Sequence, residues 1–409
     1  RYLSLCLQHK AAPGKVVSTE LVRGRATGLS AALLSPELAA PVETFLALTT
    51  RLLRASVTDA PLFCLLETVA AAPSKLAPLL ADQLDWLLSL VSYPRESVRA
   101  HAAELFAVVA AAAQDDEEFS TSLRSMHKLA MSNVLEQQHG GLLGLAHCLA
   151  RRAREGRPPA RSEELVIKLT ADLLGYLEVA QPVLKSACLS AVSELGRSGP
   201  LPAVDGTADQ SKPPSLHYVI TKLLKTATGK DLPSKIRERA IVASGLTCVG
   251  DANLAFRREI VQHFLGASSE LDELELQMAA GEALVAAVLG PQSAEARDPW
   301  RPDEPSDVPM SPTSSHNPEE LLTWLLRQLL EDQLSQTHPK VLQSAGVWLL
   351  ALVKHCQHLK PLKDRLGDIQ GAFMELLTSG NELVQDAASK GLSLVYDSGD
   401  EQQRDALVN

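Results

Sequence analysis

The sequence predicts an all-α fold, an α-solenoid of HEAT-like helical repeats, and three observations lead to this prediction. The first is a recurring trio of positions, spaced four residues apart, whose middle position is always Ala or Gly. The second is composition: 45% of the 409 residues are hydrophobic but only 4% are aromatic, so helix-favouring Leu and Ala dominate the core together with Val. The third is the interval between trios, 38 to 65 residues, which brackets the repeat length of about 40–47 found in HEAT and armadillo proteins.

Each trio marks one face of a helix in the interior of the stack. Positions four and eight residues apart lie on the same helical face, and a small middle side chain lets a neighbouring helix approach closely. We therefore expect each trio to identify the inner helix of one pair. The trios are Val98/Ala102/Phe106, Glu136/Gly140/Gly144, Val183/Ala187/Ala191, Ile236/Ala240/Ser244, Leu276/Ala280/Leu284, Val341/Ala345/Leu349 and Val384/Ala388/Leu392.

The remaining helices alternate with the inner ones. The first ninety residues are helical with a less regular repeat, and Pro36 and Pro61 mark helix starts. We expect outer helices at residues 162–178, 216–226 and 318–333. Inner and outer helices together make about nine pairs in a single solenoid over residues 1–409.

Three insertions interrupt the repeat, at residues 151–162, 198–215 and 291–318. The first carries five arginines, and the other two are rich in Pro and polar residues. Such compositions bury too little apolar area to offset the entropy of ordering the chain, so we predict mobile loops. Because the trio resumes after each one, they are insertions between repeats and not linkers between domains.

Composition also limits the partners and the compartment. The formal net charge of −10 argues against nucleic acid as a partner, which requires a basic surface. The six cysteines form no CxxC pair, and Cys148, Cys188 and Cys248 fall in predicted inner helices, which favours a reducing compartment. We expect no membrane span, since no apolar run approaches about 18 residues. The chain begins with Arg1 and not Met, from which we expect a section of a longer protein.

Sequence motifs for chemistry are missing. There is no GxSxG nucleophile elbow and no GxxxxGK[ST] phosphate loop, and the glycines at 140–144 are interpreted as close helix packing. His355 and His358 are the best candidate metal ligands, but no second ligand cluster is near them in sequence. We therefore predict a protein that is not an enzyme, with no catalytic, cofactor-binding or metal-binding residues and no cofactor. Three further histidines lie on different repeats: His101, His139 and His147.

Two segments are candidate interaction sites. The arginines at residues 151–161 could dock on an acidic partner or an anionic membrane surface, although a solvated loop is the favoured interpretation. Ser311-Pro312 has the form of a proline-directed phosphorylation site in the third predicted loop.

Several stretches resemble the proteasome adaptor and scaffold protein family, whose members are very long HEAT-repeat proteins. They occur in the family's order across residues 93–408, whereas residues 1–92 are similar only in being Ala- and Leu-rich. The stretches are residues 136–140 (EQQHG), 193–202 (SELGRSGPLP), 275–277 (ELQ), 281–283 (GEA), 295–300 (EARDPW), 368–373 (DIQGAF) and 388–396 (ASKGLSLVY).

The resemblance implies a non-enzymatic scaffold. Members of the family are implied to bind the proteasome, to bridge its core and regulatory particles, and to link it to endosomes and motor proteins. A cytoplasmic location, with nuclear and endosome-associated pools, is implied with it. The alternative, which repeat physics leaves open, is another HEAT-repeat adaptor for nuclear transport or vesicle trafficking.

Overall fold

A computed structural model describes residues 39–159, 162–179, 181–201, 215–298 and 317–399. The chain divides into two compact units. Unit 1 contains residues 1–199 and 297–308, and unit 2 contains residues 200–296 and 309–409. The described residues of both units form helices, turns and short irregular connections, as predicted.

The described part of unit 1 contains four helical pairs. Each outer helix packs on the inner helix that follows it, and the inner helices α2, α4, α6 and α8 pack on one another in chain order. A short turn at Pro73–Leu76 and a 3-10 segment at Ala77–Gln83 precede α3. The helices are α1 (Ala39–Ala55), α2 (Asp59–Ala71), α3 (Leu84–Val91), α4 (Glu96–Ala111), α5 (Asp116–Ala130), α6 (Leu135–Arg154), α7 (Ser162–Val179) and α8 (Pro182–Ser198).

The described part of unit 2 repeats this arrangement. Its inner helices α10, α12, α14 and α16 pack in chain order, and α13 continues as a π-helical turn over Gln328–Gln333. The predicted outer helices at 162–178, 216–226 and 318–333 match α7, α9 and α13 with its extension. The helices are α9 (Leu216–Ala227), α10 (Ser234–Gly250), α11 (Arg257–Gly266), α12 (Leu274–Leu289), α13 (Pro318–Arg327), α14 (Pro339–Cys356), α15 (Leu366–Leu377) and α16 (Glu382–Ser398).

The trios identify the inner helices correctly. All seven lie on inner helices, and the small middle residue of each is buried. Those middle residues are Ala102, Gly140, Ala187, Ala240, Ala280, Ala345 and Ala388. These small residues and the aliphatic residues beside them are buried between neighbouring inner helices. Each Å² of apolar surface removed from water stabilises the fold by about 25 cal/mol, and this burial is the main force that holds neighbouring repeats together.

Glycine is required where α6 crosses its neighbours. A Cβ at Gly140 would overlap the carbonyl oxygen of Val91 at the end of α3, and a Cβ at Gly141 would overlap the backbone nitrogen of Ala130 at the end of α5. Backbone atoms cannot rotate away as a side chain can. The glycine-rich sequence at 140–144 is therefore a helix-packing feature, as predicted.

Arginines that follow the first trio residue tie the inner helices to nearby turns. Arg99 on α4 donates from Nη1 to the carbonyl oxygens of Tyr93 (2.9 Å) and Pro94 (2.7 Å). Arg237 on α10 donates from Nη2 to the carbonyl oxygen of Glu270 at 2.8 Å. Both arginines are nearly buried, so they supply hydrogen bonds to carbonyls that would otherwise lack them.

The predicted loops need correction at their edges. Residues 151–154 are the last turn of α6, so the prediction of a loop there is wrong. Two short 3-10 turns, Gly290–Gln292 and Ala294–Ala296, occupy the start of the third predicted loop. They contact α10, and this contact buries their apolar residues. Residues 202–214 and 299–316 lie outside the described residues, and their mobility stays a prediction.

Among the described residues, one helix has the length and apolar character of a membrane span. The segment Leu274–Gln292, α12 with the turn after it, has a mean hydropathy of 1.2, but 72% of its window is buried inside the protein. This burial is what a core helix of a helical repeat requires. The cysteines of the described residues are likewise buried and form no disulfide with one another; they are at positions 64, 148, 188, 248 and 356.

Candidate functional site

The arginine-rich stretch that was a candidate docking site is largely turned inward. Arg151 and Arg152 are 5% and 0% exposed, and Arg157 is half-buried. Each makes contacts within unit 1. The prediction of a solvated or partner-binding loop is therefore wrong for Arg151 and Arg152, whereas Arg157 lies in the irregular segment after α6 and Arg161 lies outside the described residues.

Arg152 and Arg157 fasten the end of α6 to earlier helices. The guanidinium of Arg152 lies 4.4 Å from the ring centroid of Phe119 on α5, and its Nη2 is 3.2 Å from the carboxylate of Asp116. Burial lowers the pKa of Arg152 from its usual value. Arg157 donates to the carbonyl oxygens of Ala113 (3.2 Å) and Gln114 (3.0 Å), just after α4 ends. A cation at a helix C-terminus is favourable for the helix dipole.

Glu194 on α8 is the centre of a buried ionic cluster. Its Oε2 accepts from Arg154 on α6 at 3.2 Å and from Arg197 at 3.1 Å, and His147 Nδ1 lies 3.8 Å away. Burial by itself raises the pKa of this carboxyl, but Arg197, Arg154 and His147 hold it well below its usual range. Burial, together with the neighbouring Arg197, lowers the pKa of Arg154 to about 10, so it stays charged at neutral pH.

Asp298 joins the cluster from a distant part of the sequence. Its Oδ2 lies 3.3 Å from Nη1 of Arg151, and both side chains are nearly buried. Arg151 also reaches Glu155 at 3.2 Å, and Arg197 donates to the carbonyl oxygen of Arg297 at 3.5 Å. Three arginines thus face three carboxylates, and the pairing assigns this cluster a structural role, that of anchoring residues 297–298 within unit 1.

The candidate histidines do not come together at one site, but the prediction that they lie on different repeats is wrong for His139 and His147, which share α6. His139 is buried on α6 and its Nδ1 lies 3.3 Å from Nε of Arg99, whereas the ring of His101 lies 5.3 Å from that of Phe63. His355 pairs with Glu282 at 3.2 Å within unit 2. Among the residues that the structure describes, no group of three or more His, Cys, Asp or Glu has the geometry to hold a metal ion. Ser311 lies outside the described residues.

Sequence reasoning missed Glu194 and Asp298 as partners of the arginine stretch. Glu194 is 40 residues beyond Arg154, and Asp298 is 147 residues beyond Arg151. The one local signal is the spacing of Glu194 and Arg197, which lie three residues apart on one helical face.

Comparison with known proteins identifies the kind of repeat. Residues 20–195 match the sequence profile described as ECM29, ARM-like repeats. The human proteasome adapter and scaffold protein ECM29 is 33% identical over 384 residues, 90% of this chain and 20% of the human protein. The chain belongs to the ECM29 family. The predicted family and fold class, all-α with solenoid-type repeats, are thereby confirmed.

Two further ECM29 relatives agree with this assignment. The Drosophila melanogaster proteasome-associated protein ECM29 homolog is 25% identical over 384 residues, 88% of this chain and 20% of the fly protein. The Saccharomyces cerevisiae proteasome component ECM29 is 33% identical over 72 residues, 18% of this chain and 4% of the yeast protein. The chain therefore spans about a fifth of the length of its human and fly relatives.

Proposed function

We propose that this chain is part of a non-enzymatic scaffold that associates with the proteasome. The observation that carries the proposal is the 33% identity to the human proteasome adapter and scaffold protein over 90% of the chain. The architecture supports it, because stacked helical pairs offer extended surfaces for protein partners. In the ionic cluster centred on Glu194, arginines pair with carboxylates of the same unit. This pairing supports a role in holding the repeats together and not in catalysis.

We further propose the finer roles that the family resemblance implies. The scaffold bridges the core and regulatory particles of the proteasome and links it to endosomes and motor proteins, in the cytoplasm with nuclear and endosome-associated pools. These roles are proposed for a whole ECM29 protein. The human relative is about five times longer than this chain.

Affinity capture tests the proposal. The purified chain, immobilised through a terminal tag, is incubated with a cytosolic extract beside an unrelated HEAT-repeat protein, and bound proteins are quantified by mass spectrometry. Enrichment of core and regulatory subunits over the control supports the proposal, and enrichment of both in one washed complex supports bridging. Capture of a nuclear-transport or trafficking GTPase without proteasome subunits contradicts it.

A further inference from the structure

A groove in unit 1 lies between the outer helices α3 and α5, above the inner helix α4. We call it the α3–α5 groove; its volume is about 700 Å³, within the range of about 300–1,000 Å³ of ligand-binding clefts. Leu84 and Leu88 of α3 and Val109 of α4 give it an apolar floor. This inference goes beyond the proposed function, because it does not depend on the proteasome being the partner.

The rim of the α3–α5 groove is acidic. Four carboxylates line it and none of its lining residues is cationic. Two of the carboxylates have internal roles: Asp115 caps α5 by accepting from the backbone nitrogen of Glu117, and Glu117 pairs with Arg124 at 2.7 Å. The other two, Asp85 and Glu118, are exposed, and the described residues provide them with no salt-bridge or hydrogen-bond partner.

A serine hydroxyl also contributes to the lining of the groove. Ser122 on α5 is only 8% exposed and lines the groove. On the same helix, Thr121 and Ser125 donate to carbonyl oxygens four residues earlier, at 2.9 and 3.1 Å. Within the described part of the chain, the Ser122 hydroxyl makes no such bond.

A second groove in unit 1 provides an internal contrast. It lies between α5 and α7, has a volume of about 610 Å³ and is also floored by leucines. Its lining includes three basic side chains, Arg124, His127 and Lys168, against one carboxylate, Asp172. The two grooves are thus similar in size and both have an apolar floor, but the charge at their rims differs in sign. We therefore expect them to prefer partners of opposite charge.

We propose that the α3–α5 groove binds an amphipathic segment of a partner protein, with an apolar face and flanking Lys or Arg residues. The apolar face covers Leu84, Leu88 and Val109, and the cationic side chains pair with Asp85 and Glu118. This is the helix-in-groove mode of recognition, with opposite charges setting the specificity.

Peptide binding to the full chain tests the proposal. The probe is a fluorescein-labelled helical peptide with Leu on one face and Lys on the other. It is compared with the same peptide carrying Glu in place of Lys. Fluorescence anisotropy should give saturable binding of the Lys peptide and at least about tenfold weaker binding of the Glu peptide. The D85K/E118K variant should bind the Lys peptide at least about tenfold more weakly than wild type.

A matched variant separates the groove from general charge attraction. Glu163 and Glu164, exposed in the first turn of α7, line neither groove, so E163K/E164K makes the same charge change elsewhere in unit 1. It should leave the affinity within about twofold. L88N, which keeps the acidic rim, should also weaken binding. Hydrogen exchange should show peptide protection at α3 and α5 and none at α7.

Three outcomes would overturn the proposal. Equal weakening by the two lysine double variants would mean that the peptide senses only the net charge of the chain. Protection at α7 would assign the binding to the second groove. Self-association in sedimentation that D85K/E118K abolishes would assign the α3–α5 groove to a second copy of the chain.

Discussion

Replacing Gly140 by Ala should destabilise the protein, although the same change helps most helices. Gly140 lies inside α6 where it crosses the end of α3. Besides overlapping the carbonyl oxygen of Val91, an added Cβ would lie 2.7 Å from Val91 Cγ1 and 2.9 Å from the Val91 carbonyl carbon. Because two of these three atoms are backbone, the clash is relieved only if the two helices separate.

The size of the effect follows from two opposing terms. Overpacking of a core costs about 1–3 kcal/mol, and a backbone clash places this site at the upper end. Ala exceeds Gly in helix propensity by about 1 kcal/mol, which offsets part of the loss. We expect G140A to lower the free energy of unfolding by about 2 kcal/mol.

Gly175 provides the matched control. It is exposed inside α7, and a Cβ there would meet no heavy atom within 4 Å. G175A should therefore raise stability by up to about 1 kcal/mol, so that the two variants differ in sign. Urea unfolding followed by circular dichroism measures both, and hydrogen exchange at α3 and α6 locates the loss. A G140A protein as stable as G175A would refute the packing of α6 against α3.

Three other perturbations test the buried interactions. E194Q leaves the buried Arg154 and Arg197 uncompensated and should cost about 3 kcal/mol. Because the folded-state pKa of Glu194 is depressed, this carboxylate contributes to stability above its unfolded pKa of about 4.3. That contribution is lost progressively as the pH falls from there through the folded-state pKa. The free energy of urea unfolding should therefore fall less steeply with acidification in E194Q than in the wild type. A280L overpacks a fully buried inner-helix position and should lower the urea midpoint by the equivalent of about 1–3 kcal/mol; an unchanged midpoint would contradict the inner-helix assignment. Burial raises the pKa of the Cys148 and Cys356 thiols to about 12, so iodoacetamide at neutral pH should label them only after unfolding, as mass spectrometry can measure.

The repeat was predictable because its signal is local. Ala102 and Ala280 lie four residues after an aliphatic residue, and this spacing alone places them on a buried helical face. Outer helices such as α7 (Ser162–Val179) were predicted to within one residue because Pro- and Gly-containing segments bound them.

The arginine cluster was not predictable because its partners are distant in sequence. Composition suggested a solvated loop at residues 151–162, but Arg154 is neutralised by Glu194 on another helix and Arg151 by Asp298 after a long insertion. Pairing that depends on tertiary structure overrides local composition. The α3–α5 groove was missed for the same reason, since it exists only where the ends of three helices meet.

Direct binding of the purified chain to purified proteasome tests the proposal that these repeats form a proteasome-associating surface. The chain is titrated by biolayer interferometry against immobilised core particle, regulatory particle and their complex, with an unrelated HEAT-repeat protein as the control. We expect saturable binding to at least one of these particles that the control does not show. A chain that is helical by circular dichroism and monodisperse in solution, yet binds none of them above the control, would contradict proteasome association by these repeats.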